Sequence, residues 1–219
     1  MSKPLLPQHG RYDFSPLTER KDYSWPGGKR LAFCLTTNVE WFAFGAGLGH
    51  DPAKTGEPQT HRNYSWRDYG NRIGVWRLLE LFDELKLPIA HNTNSLVYEY
   101  APQIMAAMRK RGDEVVAHGR SNAENLRGLW QPDEERILRE VTETITRHEG
   151  KPPEGWMGSG AYETSNTPDL NSDQPEPRST GAFLTRSESM PAGWDYLVVL
   201  ITIVVFTLML AAIYVFSRS

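Results

Sequence analysis

Cysteine is nearly absent. Cys34 is the one thiol in 219 residues, so no disulfide can form within the chain. Such usage fits a reducing compartment. A basic surplus is absent too: 24 lysines and arginines stand against 27 acidic residues, a net charge of -3. That removes the electrostatic footprint nucleic acid demands, and no nucleic-acid partner is expected. Residues Met1 to Arg30 are polar and rich in proline and charge, with no apolar run of the kind a secretory signal needs. No repeat recurs at a fixed period. The glycine-rich stretch Gly45 to Gly49 lacks the lysine of a phosphate-binding loop. His50, His61 and His91 share no ligand spacing and are expected at the surface or in turns. Trp66, Tyr69 and Trp76 are expected in the core or a lid.

One long apolar run is present. Tyr196 to Phe216 holds 21 residues without a charge. At 1.5 Å per residue a helix of that length crosses a hydrocarbon layer of about 30 Å. Trp194 and Tyr196 at one end and Tyr214 and Phe216 at the other would sit at the headgroup level, with Phe206 in the lipid. The expectation is a single-pass, tail-anchored membrane protein. Its N-terminal domain would be cytoplasmic, and its partners would be the lipid bilayer and an integral membrane protein complex.

The rest of the chain alternates strand and helix signals. Leu31 to Thr36 reads as a buried strand, Leu87 to Asn92 as a second, Glu114 to His118 as a third, and Trp156 with Met157 as a fourth. Between them, Arg72 to Lys86, Ala101 to Arg111 and Pro132 to His148 carry apolar residues at helical spacing. Pro132 suits a first helical turn, and Asp133, Glu134 and Glu135 complement the helix dipole. Gly150 is placed to end that helix. The pattern predicts an α/β domain with a parallel sheet or barrel. Its expected limits are 31–158, after an extended arm at 1–30. A polar linker at 159–190 and the membrane helix with its tail at 191–219 would follow.

Chemistry-bearing residues gather just after the predicted strands, where α/β sheets build their sites. They are Asn38 and Glu40, then Asn92 and Asn94, then His118 and Asn122. Glu40 and His118 have the chemistry of an acid/base pair, with asparagines to orient an amide. The same residues also suit helix caps and tight turns, and spacing alone leaves both readings open.

Several segments together resemble the polysaccharide deacetylase (NodB-homology) superfamily, in its allantoinase-like branch. They are Arg11 to Pro16, Trp25 to Leu31, Asn38-Val39-Glu40, Tyr69 to Gly74, Asn94-Ser95, Ala117 to Asn122 and Gly155 to Gly158. The resemblance implies a distorted (β/α) barrel, of which roughly half is expected here, followed by the extended linker and one transmembrane α-helix. It also implies hydrolysis of C–N bonds in amides or cyclic ureides. Under it, Glu40, His118 and Asn38 would be catalytic, and Asn94, Asn122 and Trp156 would contact substrate. Metal-dependent relatives use an Asp pair after the first strand and a His-x-x-x-His pair after the third. Here those positions carry Asn38, Val39 or Glu40, His118 and Asn122, so neither a metal nor another cofactor is expected. Two functions follow as expectations. One is an accessory subunit of a membrane complex, respiratory or photosynthetic, built on a degenerate hydrolase domain. The other is a membrane-tethered, metal-independent amide or ureide hydrolase.

Overall fold

Short strands of two to four residues form the centre of the domain. A computed structural model describes residues 10, 12–20, 28, 34–45, 59–172 and 178–179. The strands are β1 (Thr36–Val39), β2 (Ala90–Thr93), β3 (Glu114–Ala117), β4 (Gly155–Trp156) and β5 (Arg178–Ser179). All pairings are parallel, and spatial order follows chain order, β1-β2-β3-β4-β5. Sequential parallel order is that of a singly wound (β/α) barrel, not of a doubly wound sheet with a switch point. β2 is buried at every position, as a central parallel strand covered on both faces must be.

Between the strands run α1 (His61–Tyr69), α2 (Val75–Glu84), α3 (Val97–Tyr100), α4 (Pro102–Arg111), α5 (Gln131–Glu149) and α6 (Thr167–Ser172). In α5 the stripe Ile137, Leu138, Val141 and Ile145 is buried, as its spacing predicts. Each such side chain contributes about 1.5–3 kcal/mol of burial. Gly150 ends the helix at φ 77°, a left-handed cap that glycine adopts without a Cβ penalty. From α2, Leu79 and Phe82 join Ile104, Met105 and Met108 of α4 in the same core.

Several expectations are corrected. Of the strand expected at Leu31 to Thr36, residues 31–33 lie outside the described residues, and β1 runs Thr36–Val39, its described ladder with β2 beginning at Thr36 opposite Ala90. The helix predicted from Arg72 starts at His61, capped by the Thr60 side chain on the Asn63 amide. α1 buries none of its residues, so no apolar period announces it. Trp66 and Tyr69 are accordingly exposed rather than core, while Trp76 packs against the core. The polar segment from Ser159 is folded through Ser172: Ser159, Thr167 and Asn171 are buried. Its polar groups find partners, since the buried Glu134 carboxylate accepts from the Thr164 and Thr167 hydroxyls.

The chain divides into two compact units. One is Cys34–Gly181; the other joins Met1–Phe33 with Ala182–Ser219. In the second, Leu17–Glu19 forms a 3-10 turn, and the Arg20 guanidinium donates to the Ser15 carbonyl. The apolar run Tyr196 to Phe216, with Trp194, lies outside the described residues, as does His50. Among the described residues no helix is long and apolar enough to cross a membrane.

Candidate functional site

In a parallel sheet, residues in register share a face, and that face alternates along each strand. Asn38, Asn92 and Val116 are in register. Two residues further on, the same face carries Glu40, Asn94 and His118 at the carboxyl ends of β1, β2 and β3. Glu40 and His118 meet there: Oε1 lies 3.2 Å from Nε2, across 78 residues of chain. The imidazole is almost wholly buried, and the carboxylate side chain is 22% exposed, so the pair opens through Glu40.

The ring has a defined tautomer. His118 Nδ1 lies 2.6 Å from the Met157 carbonyl oxygen, which only accepts, so Nδ1 carries a hydrogen. A hydrogen bond from Nε2 to Glu40 then needs one further proton in the pair. Either imidazolium faces carboxylate, or neutral imidazole faces carboxylic acid. Burial pushes the Glu40 carboxyl up. The bond and charge of His118, the Asn122 amide and the Arg67 cation outweigh burial and hold it below its ordinary value. Glu40 is therefore favoured as the carboxylate. Asn38 Nδ2 also donates to Glu40 Oε1 at 3.3 Å, and Asn92 Nδ2 holds Asn38 Oδ1 at 2.9 Å.

The floor is a set of ties between strand ends. Asn94 Oδ1 accepts from the Trp41 amide at 2.8 Å, and Asn94 Nδ2 donates to the His118 carbonyl. The Asn122 amide nitrogen donates to the Trp41 carbonyl at 2.9 Å. Ser159 Oγ lies within reach of the carbonyls of His118, at 2.8 Å, and Ser121, at 3.1 Å. Gly119, at φ 69°, leaves room for that hydroxyl: a Cβ there would stand 2.6 Å from Ser159 Oγ. Trp41 stacks on Tyr100 at 4.8 Å. Of the residues predicted from sequence, Glu40, His118, Asn38, Asn94 and Asn122 thus gather at one end of the sheet. Trp156 lies buried in β4, opposite Ala117.

Comparison with known proteins now has a fold and a site to stand on. A Schizosaccharomyces pombe protein assigned as a polysaccharide deacetylase is 33% identical over 93 residues, 42% of this chain and 28% of that protein. The structure of PuuE allantoinase superposes with a TM-score of 0.60 at 22% identity, over 76% of this chain and 60% of its own. A Pseudomonas aeruginosa protein assigned as a polysaccharide deacetylase superposes at 0.55 with 25% identity, over 67% and 52%. The chain has the polysaccharide deacetylase fold. No protein-family profile matches it. The chain spans little more than a quarter of the curated relative and between half and 60% of these two solved structures.

In this deacetylase-fold domain the five-stranded sheet resembles part of a barrel. Metal-dependent relatives need several anionic or imidazole donors at the positions after β1 and β3. Here His118 spends Nδ1 on a carbonyl and Nε2 on Glu40, while Asn38 and Asn122 are neutral amides. Among the described residues no three His, Cys, Asp or Glu side chains group together. The donors present do not fit a catalytic metal.

A second buried polar chain lies on the opposite face, at the amino end of the sheet. His91, expected at the surface or in a turn, is buried in β2. Thr37 Oγ1 lies 2.6 Å from its Nδ1, and Asp113 Oδ2 lies 3.1 Å from its Nε2. Asp113 in turn binds Arg111 Nε at 2.7 Å. Arg111 also pairs with Asp83 and reaches the Leu79 carbonyl. A lone histidine in a strand carries no sequence signal for such a chain, since Thr37, Asp113 and Arg111 are remote from it.

Proposed function

We propose that this domain hydrolyses a C–N bond of an amide or ureide without a metal, using Glu40 and His118, and that Tyr196 to Phe216 tethers it to a membrane. The observation that carries the reading is the 3.2 Å Glu40–His118 contact, with Nδ1 committed to the Met157 carbonyl. Glu40 takes a proton from water as the water oxygen adds to the carbonyl carbon. The imidazolium gives its Nε2 proton to the leaving nitrogen as the C–N bond breaks. The proton on Glu40 then crosses to His118, restoring the starting pair. Asn38, exposed beside Glu40, is placed to orient the amide.

The test is turnover of linear acetamides and of linear and cyclic ureides by the purified full chain. Replacing Glu40 by Gln or His118 by Ala is expected to lower kcat by about 10²–10⁴, the usual weight of a general acid or base. Equal turnover in wild type and both variants would remove the reading.

A second reading rests on the uncharged 21-residue run and the missing metal donors. In it the domain is an accessory subunit of an integral membrane complex, inactive and held by that helix. Mild-detergent extraction and size separation distinguish the two. Stoichiometric co-migration with a large complex, lost on deleting residues 190–219, supports the subunit. Migration alone removes it.

A further inference from the structure

Helices α1 and α2 form one rod interrupted by a π-turn, Gly70–Gly74. The Gly70 amide bonds the Arg67 carbonyl three residues back, and the Val75 amide bonds the Gly70 carbonyl five residues back. Such turns are rare, well under about 1% of residues, because five-residue spacing packs poorly. One extra residue in the ladder turns everything before it by about 100° relative to an unbroken α-helix. What the turn gains is visible. Asn71 sits within it, half-buried, and its Nδ2 donates to the backbone carbonyl oxygen of Glu40 at 2.7 Å. Glu40 lies just past the end of β1, where no ladder bond restrains it. Without Asn71, that carbonyl has no other protein donor among the hydrogen bonds of the described residues.

We infer that Asn71 is a positioning residue: the π-turn aims its amide at the Glu40 backbone and so holds the Glu40 carboxylate against His118. The inference rests on the hydrolase reading only for its effect on turnover; the placement stands by itself. Arg67, on the same rod, adds its charge to the Glu40 environment. The ionic groups facing Glu40 are thus His118 from the end of β3 and Arg67 from α1, with amides from Asn38 and Asn122. The neighbouring Asp68 and Arg72 pair with each other, and the Arg72 side chain is mostly exposed.

The experiment is a carbon-13 NMR titration of the Glu40 carboxyl in the detergent-solubilised full chain, in wild type and in Asn71→Ala. Freed from the tie, Glu40 drifts from His118, and its midpoint is expected to rise by roughly half a unit or more. Asn71→Gln, which keeps the donor, should recover part of the difference. Where the alanine variant does not fold, Asn71→Leu keeps the volume and lacks the donor. Deleting Ile73, which converts the π-turn to α-helix, should raise the midpoint in the same way. If wild type turns over amides, Asn71→Ala should lower kcat by about tenfold and leave KM nearly unchanged. An unchanged Glu40 midpoint in folded Asn71→Ala or Asn71→Leu overturns the inference. A wild type without turnover removes the hydrolase reading and leaves the titration result intact, so the two fail separately.

Discussion

Glu40 and His91 are both held away from their ordinary titration, and both shifts act in the same direction on stability. The Glu40 carboxyl is depressed in the fold, so its contribution is present above the unfolded carboxylate value and is lost as pH falls through the folded one. His91 is also depressed: burial outweighs the raising effect of Asp113, and Arg111 lowers it further. A depressed imidazole stays neutral in the fold while the unfolded chain binds a proton. Stability therefore falls as pH drops below the unfolded histidine value of about 6.5. Thermal melts of wild type between about pH 7 and 5 should show this slope, and His91→Gln should flatten it. An identical slope in the variant would place the acid sensitivity elsewhere.

The elements divide by what holds them. α5 is held by its apolar stripe, and Leu138→Ala should cost about 2–5 kcal/mol in denaturant unfolding, because it empties a fully buried site. α6 packs Leu170 on the core and adds polar ties. Glu134 sits in the first turn of α5, wholly buried, and takes the hydroxyls of Thr164 and Thr167. Glu134→Leu leaves the buried Thr167 hydroxyl without its acceptor, at about 1–3 kcal/mol, and removes the acceptor of the half-buried Thr164 hydroxyl as well. Its structural readout is loss of amide protection in residues 159–172 with protection of α5 retained. Protection equal to wild type would show that this segment is held by other contacts. Because the segment begins with Ser159 beside His118, two residues after Met157, the variant should also disturb the Nδ1 contact.

For the whole molecule, a sequentially wound parallel sheet brings the loops after β1, β2 and β3 to one end, which is where the acid/base pair and its asparagines lie. The opposite end holds the His91–Asp113–Arg111 chain, which ties β2 to the ends of α4 and α2. The two buried histidines, His91 and His118, thus lie at opposite ends of the strands. The proposed tether belongs to this scale too. The full chain should partition into the detergent phase of a cloud-point separation, and a chain lacking residues 190–219 should stay in the aqueous phase. Aqueous partition of the full chain would remove the membrane reading.

Local sequence was enough for whatever depends on neighbours along the chain. The period of Ile137, Leu138, Val141 and Ile145 identified α5, and Gly150 marked its end, because one helix face buries and only glycine relaxes at φ 77°. Alternation of strands and helices identified the α/β class, and the motifs around Glu40 and His118 identified the deacetylase fold and the candidate pair. α1 was illegible because a helix that buries nothing has no apolar period. The order in 159–172 was hidden because its partners are polar and remote, Glu134 above all. Tertiary structure alone decided three things: that Glu40 and His118 touch, that His91 is buried in a four-residue chain, and that Asn71 points at Glu40. Each depends on register and helix phase, which place residues far apart in sequence within 3.2 Å, and no local pattern encodes that.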